Sequence, residues 1–332
     1  MNILVTGGLG FIGSHTVVSL YQKGHTAVII DDLSNAKEDV LKKLENLTQA
    51  KIPFFKGNVA DLTTLEAVFN RHPLDGILHF AAYKAVGESV EKPIMYYENN
   101  LNATLNVAKL AILYQVSKFV FSSSCTVYGD QPSPFHEGMD LLPATNPYGA
   151  TKQMSEQMLK DIVVAHANFN VTLLRYFNPI GAHESGLIGE SPVGIPNNLM
   201  PYILDVALGK RPHLNVYGSD YPTPDGSGVR DYIHVMDLAD AHVVALEKAS
   251  HQINIYNVGT GKGSSVLEVV KAFETMNQIR IPLNVTSRRS GDIAVSYADP
   301  TKMKDELGFV TQRDLNQMVK DAWNYARRSH HA

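Results

Sequence analysis

Apolar runs of strand length alternate with one-sided apolar segments of helix length from the first residues onward. Residues 3–5 precede 14–23, and residues 27–30 precede 36–49. Short, continuously apolar strands interleaved with amphipathic helices predict βαβ units on a parallel sheet, because such strands are buried on both faces. The series continues through 52–56, 76–80, the helical stretch 101–113, then 118–122 and 170–175. The pattern predicts an α/β fold, a doubly wound parallel sheet reaching about residue 177. Past Asn178-Pro179 the texture changes to loops rich in Gly, Pro and Asn, at 181–198 and 218–228, between shorter elements. This reads as a smaller, loop-rich α/β C-terminal lobe. Residues 231–235 and 237–249 again resemble a strand and helix of the first kind. The expected division is therefore 1–177 plus about 229–258 for one lobe, and about 178–228 plus 259–332 for the other.

A chain of 332 residues is long enough for two lobes to bury their cores without cross-links. It contains one cysteine, Cys125, so no intramolecular disulfide can form, and a reducing, cytoplasmic setting is expected. The first residues already read as strand, without a basic leader or a long apolar stretch, which predicts neither secretion nor membrane insertion. A net charge of -4 with scattered basic residues argues against nucleic acid or membrane as partner and in favour of a small molecule. The 13 histidines show no metal-ligand spacing, and no metal is expected.

Between the first strand and the first helix lie Gly7, Gly10 and Gly13, spaced for a tight turn, for close backbone approach to a pyrophosphate and for close helix packing. Their place in the pattern makes the sheet Rossmann-type. Asp31 follows at the end of the second strand, where an acid accepts hydrogen bonds from an adenosine ribose and repels a 2′-phosphate, so NAD is favoured over NADP. Asp32 stands beside it, and Asn58, after the strand at 52–56, is placed to read the adenine edge.

In Pro147-Tyr148-Gly-Ala-Thr-Lys152 the proline starts a helix, and the four-residue spacing puts Tyr148 and Lys152 on one face. Ser124 stands at the end of an apolar strand. Bringing a tyrosine from about 10 to about 7 takes on the order of 4 kcal/mol, for which Lys152 and an oxidised nicotinamide are the nearby cations. The three groups suit proton transfer at a sugar-type hydroxyl.

Together the glycine turn, the segment 122–130 and the Tyr148/Lys152 pair resemble the extended short-chain dehydrogenase/reductase family acting on nucleotide sugars. The segments 79–89, 174–178, 194–202 and 228–239 narrow the resemblance to its UDP-hexose 4-epimerases, over residues 1 to about 325. The resemblance implies C4 epimerisation of UDP-hexoses, UDP-galactose to UDP-glucose, with retained NAD, a UDP-sugar-binding second lobe and a homodimer built on helices near 99–114 and 149–167. It assigns to NAD Phe11 and Ile12; Leu33, Ser34, Asn35 and Ala36 beside Asp31 and Asp32; Asn58 and Val59; Phe80, Ala81, Ala82 and Lys84; and Asn99, Ser122 and Phe177. The chain departs from the family pattern at Asn58, commonly Asp, and at Ala82, commonly Gly.

For the substrate, the resemblance points to Lys84, Ala85 and Val86 beside the sugar and to Asn178, Asn197, Asn198 and Leu199 on the nucleotide. Asn215, Val216 and Tyr217 follow along the uracil, Arg230 and Arg289 on the diphosphate, and Asp292 on the ribose. Forked guanidinium donors suit phosphate. Ser296 matches a position that walls the sugar pocket, and a small residue there leaves room for a 2-N-acetyl group, so UDP-GlcNAc and UDP-GalNAc are further expected substrates. The neighbouring Tyr297 would fill the same space after a one-residue shift. The rival enzyme is a nucleotide-sugar 4,6-dehydratase, which needs an acidic pair after the strand-end serines; Cys125 and Thr126 stand there instead. A non-catalytic NAD-binding protein accounts for the glycine turn but leaves Ser124, Tyr148 and Lys152 without a purpose.

Overall fold

The computed structural model describes residues 1–194, 196, 198–288 and 292–331, the last of these by its backbone alone. Seven parallel strands form the main sheet, in the spatial order Ile253–Val258, Asn170–Tyr176, Lys118–Ser122, Gly76–His79, Asn2–Thr6, Thr26–Asp31 and Phe54–Lys56. The order runs outward in both directions from the first strand, so the carboxyl ends beside Thr6 form the switch point where α/β sheets take their ligands.

Both faces of that sheet are covered, which is why its strands are apolar without alternation. Within Asn2–Thr6, Ile3 and Val5 pack under the helices Phe11–Gln22, Asp39–Thr48 and Val235–Lys248. Leu4 packs on the other side, under Leu62–Arg71, Pro93–Leu113 and Pro147–Ala165. The helix Leu62–Arg71, absent from the sequence expectation, begins where the Asp61 carboxylate accepts from the Thr63 N–H at 3.0 Å.

A second core gathers the helices Leu199–Ala207, Val266–Asn277 and Leu315–His331 around Leu214 and Tyr232. Its small sheet joins Gly263–Ser265, Val229–His234, Val295–Ser296 and Asn178–Ile180. The strand at 229–234 thus departs from the expected division, because it pairs with 178–180 and 295–296 rather than with the large sheet. The helix and strand after it, Val235–Lys248 and Ile253–Val258, return to the first layer. The helix Thr301–Leu307 also leaves the second lobe, placing Met303 and Leu307 in the first core. None of the described helices is long and apolar enough to cross a membrane.

Candidate active site

The chain leaves the first strand at Thr6 and starts a helix at Phe11, so four residues must reverse its direction. Gly7 does this at φ 69°, and a Cβ on it would lie 3.0 Å from the Ala81 nitrogen. A Cβ on Gly13 would overlap the Gly7 carbonyl oxygen. Gly10 caps the helix with extended backbone and no side-chain acceptor, leaving the first-turn N–H groups for an anion. The cleft lined by these glycines and the uncapped positive helix end fit a dinucleotide pyrophosphate.

Asp31 anchors that turn from the second strand. Its buried carboxylate accepts from Leu9 N at 3.0 Å and Leu33 N at 2.9 Å, and burial pushes its pKa above the usual carboxylate range. Asp32 accepts from Ser34 N at 2.9 Å and from the Asn58 amide at 3.3 Å. The same amide reaches Asn99 Oδ1 at 3.1 Å, while Asn58 Oδ1 takes the Ala60 N–H at 2.8 Å. Asn58 is therefore occupied in joining three segments around the adenosine end.

The third strand in this arrangement, Lys118–Ser122, ends below the same cleft. Ser124 caps the short turn Cys125–Tyr128, its oxygen accepting from Thr126 N at 3.3 Å and Thr126 Oγ1 at 3.0 Å. The Asn146 side chain caps the helix Pro147–Ala165 through Gly149 N at 2.9 Å, and that helix delivers Tyr148 and Lys152 one turn apart, both buried. The Tyr148 phenol faces Ser124, which favours its ionised form, and Tyr176, which opposes it. Lys152 Nζ donates to the Ser122 carbonyl at 2.7 Å and lies 4.6 Å from the Phe121 ring centroid.

Burial sets the resting protonation. It lowers Lys152 to about 7 and lifts the Tyr148 phenol well above its ordinary value. The lowered phenol expected from the Tyr148/Lys152 spacing is thus not produced by this chain's own groups, because desolvation of the phenolate outweighs the pull of Ser124. Lys152 Nζ is bonded to a carbonyl and sits 5.9 Å from the Tyr148 ring centroid. His79, nearby, is fully buried between Thr6 Oγ1 at 2.7 Å and Thr104 Oγ1 at 3.3 Å, and burial takes it down to about 3. It serves as a neutral spacer.

One continuous cleft collects most of the residues expected at the cofactor: Gly7, 10–13, Asp31 and Asp32, 34–36, Asn58 and Val59, 80–82, Lys84, Asn99, Ser122, Tyr148 and Lys152. Two expected members stand elsewhere. Leu33 has φ 63° and packs against the core beneath the turn. Phe177 is buried with Val127, Tyr128 and Phe135, because it follows the last strand residue and faces the opposite side from Tyr176. Tyr176 lines the cleft in its place. The sequence signal for it was present: a strand-end tyrosine in Leu174-Arg-Tyr-Phe-Asn178.

A second cleft opens on the smaller lobe, lined by Asn178, Asn198, Leu199, Asn215, Tyr217, Arg230 and Asp292, with Tyr202, Arg211, His213 and Tyr221 in addition. Arg230 Nη2 lies 3.8 Å from Asp292 Oδ1. Val216 differs from expectation: strand alternation turns Asn215 and Tyr217 to the cleft and buries Val216 in the core. Ala85 and Val86 open the short helix Val86–Glu91, with Ala85 N bonded to Tyr96 Oη at 3.0 Å and Val86 exposed. Asn197 and Arg289 lie outside the described residues. Lys84 reaches Glu190 Oε1 at 3.4 Å, and Asn198 reaches the same oxygen at 2.7 Å, so Glu190 links the two clefts. Ser296 is buried, pairs in register with Arg230 and lies near Cys125, the residue after Ser124. The ring of Tyr297 lies toward Gly263, on the other side of that strand.

The NAD dependent epimerase/dehydratase family matches residues 3–259. Over 326 residues the chain is 52% identical to a UDP-glucose 4-epimerase of Neisseria meningitidis serogroup C, covering 97% of this chain and 96% of that protein. It is 51% identical over 328 residues to a UDP-glucose 4-epimerase of Bacillus subtilis strain 168, covering 98% and 96%. Its backbone matches UDP-glucose 4-epimerase from Bifidobacterium longum, solved in complex with NAD+ and UDP, with TM-score 0.96 and 45% identity over 99% of both chains. It matches the UDP-Glc/GlcNAc 4-epimerase of Campylobacter jejuni with TM-score 0.85 and 34% identity, over 98% of this chain and 99% of that one. With the glycine cradle, the serine-tyrosine-lysine group and a full-length likeness agreeing, this chain belongs to the NAD dependent epimerase/dehydratase family.

Proposed function

We propose that the chain interconverts UDP-galactose and UDP-glucose by inverting C4, with NAD held in the first cleft and the UDP-sugar in the second. The observation that carries this reading is the meeting of Ser124, Tyr148 and Lys152 at the carboxyl end of the sheet, with Tyr148 and Lys152 in the cleft of the glycine cradle and Cys125, the residue after Ser124, near Arg230 of the second cleft. NAD bound there would accept the C4 hydrogen as hydride and return it to the other face of the resulting ketone.

The chain's own residues handle the proton and the sugar. Tyr148 takes the proton of the sugar 4-OH and later gives it back, and Ser124 hydrogen-bonds the same oxygen. Lys152, held by the Ser122 carbonyl, would add its charge to that of bound NAD+ in offsetting the desolvated phenolate, which the chain's own groups do not offset alone. Arg230 faces the diphosphate, while Asn215, Tyr217 and Asp292 face the nucleoside. Cys125 and Thr126 leave the site without the acid that a dehydratase needs to expel water from C6. The test incubates purified protein with UDP-galactose, without added reductant, and separates the epimers. Accumulation of UDP-glucose with no net change in NAD supports the reading; an unchanged sugar or a dehydrated 4-keto product overturns it.

Ser296 supports a second substrate class. A buried serine next to Cys125 occupies little volume, and the Campylobacter relative is named for both UDP-Glc and GlcNAc. UDP-GlcNAc and UDP-GalNAc are accordingly proposed as substrates. The exposed apolar side chains Ile94, Leu105 and Leu113 on one helix and Met154 and Val164 on its neighbour support a homodimer through these helices. Sedimentation at micromolar concentration separates a helix-packed homodimer from a monomer.

A further inference from the structure

A buried ion pair lies directly behind the catalytic group, one helical turn beyond Lys152. Arg175 Nη2 donates to Glu156 Oε2 at 2.6 Å and Arg175 Nε to Oε1 at 3.0 Å, a bidentate pair with both side chains buried. Ser123 Oγ donates to the same Oε1 at 2.6 Å. Ser123 is flanked by Ser122, whose carbonyl holds Lys152, and by Ser124, whose hydroxyl meets Tyr148. Arg175 precedes Tyr176, which lines the cleft with Tyr148, and its guanidinium lies 4.9 Å from the Tyr128 ring centroid.

Three elements that each contribute a reacting or contacting group are therefore tied at one carboxylate: the helix Pro147–Ala165, the strand end at 122–124 and the strand Asn170–Tyr176. A buried pair of this kind is weak grounds for stability, since apolar residues of similar volume do as well or better. Registry is the better-attested use of such a pair.

We infer that Glu156 is a positioning residue for the reaction, fixing Ser122–Ser124 and Tyr176 against Tyr148 and Lys152 through Ser123 and Arg175. Its charge has a second consequence: Glu156 is the group that raises Lys152 against the lowering effect of burial. Lys152 also faces His79, kept neutral by burial, and the phenol Tyr148, while Glu156 faces Arg175 and, 3.8 Å from its Oε2, Lys160 Nζ. Removing the Glu156 charge therefore makes Lys152 release its proton at lower pH, and the alkaline limb of kcat moves acid-ward.

This inference rests on the epimerase reading, so wild-type turnover of UDP-galactose is measured first; its absence fails that reading, and only its presence puts Glu156 to the test. Glu156→Gln leaves Arg175 buried without its partner, so Glu156→Met/Arg175→Met is made alongside it and Ser123→Ala as the least disruptive change. The expected result for the folded Glu156 variants is a kcat fall of about tenfold or more, KM within about twofold, and the acid-ward shift of the alkaline limb. Ser123→Ala lowers kcat by roughly threefold to tenfold and leaves that limb in place, because the carboxylate remains. Wild-type kcat and an unmoved pH profile in the double variant overturn the inference, as does wild-type kcat in Ser123→Ala should neither Glu156 variant fold.

Discussion

The two clefts are made of different material. The cofactor cleft is mostly backbone: Gly7 at φ 69°, the uncapped start of Phe11–Gln22, and strand ends set by the pleat of one sheet. The second cleft is mostly side chains, brought from 178–180, 198–202, 211–221, 228–232 and 292 by a small sheet and a loop-built lobe. A backbone site is fixed by local conformation and tolerates little change. A side-chain site is tuned residue by residue, and losing one residue weakens binding without dismantling the fold.

The sharpest way to break this comparison is at Gly13. Gly13→Val places a branched side chain where even a Cβ overlaps the Gly7 carbonyl, so the purified protein should lose its NAD and several kcal/mol of stability, read by cofactor content and thermal unfolding. Retention of NAD with a wild-type melting curve would show that the cradle does not need its glycines.

Acid should act first on the cofactor half. His15, His79 and His242 are buried there, and burial lowers them to about 3, about 3 and about 4. Above their unfolded value of about 6.5 both states are neutral and the histidines cost nothing; as pH falls below it, the unfolded chain gains protons that the folded chain refuses. Stability contributed this way is complete above about 6.5 and declines toward pH 4, by up to about 4 kcal/mol per pH unit for three protons. Asp31 and Asp231, whose carboxyls burial raises, offset part of that slope. Urea unfolding between pH 7 and pH 4 reads the slope, and His79→Gln should reduce it by about one proton's worth, roughly 1.4 kcal/mol per unit.

In the side-chain cleft the effects are smaller and separable. Arg230→Met removes a forked diphosphate donor, so KM for UDP-galactose should rise roughly 10- to 100-fold with kcat changed little and NAD content unchanged. A matching fall in kcat would place Arg230 closer to the chemistry than the second cleft suggests. The mildest change is Ser296→Tyr, which should remove turnover of UDP-N-acetylhexosamines while UDP-galactose turnover stays within a few-fold. Equal loss on both substrate classes would take Ser296 out of sugar selection.

The same contrast explains what could be read without coordinates. Residues 3–5, 27–30 and 119–121 are apolar because both sheet faces are covered, so the main layer was legible from hydrophobic pattern alone. Gly7, Gly10 and Gly13 were legible because φ and close approach are properties of single positions. The strand Val229–His234 was misplaced because its partners, 178–180 and 295–296, are remote in the chain, and nothing in its own residues says which sheet it joins. Phe177 and Val216 turn their side chains into the core for a local reason, the alternation of neighbouring side chains, which a one-residue difference inverts. Glu156 and Arg175 were not singled out at all, since a carboxylate on a helix and an arginine in a strand become a pair only when the sheet and helix pack.

The central claim is that Tyr148 moves the proton of the sugar 4-OH. Its most direct test compares Tyr148→Phe with wild type on UDP-galactose, with bound NAD and unfolding midpoint measured on the same preparations. Loss of the phenol oxygen alone should lower kcat by about 10³-fold or more while NAD content and stability stay near wild type. Epimerase activity surviving within tenfold of wild type, in a folded and NAD-loaded variant, would contradict it.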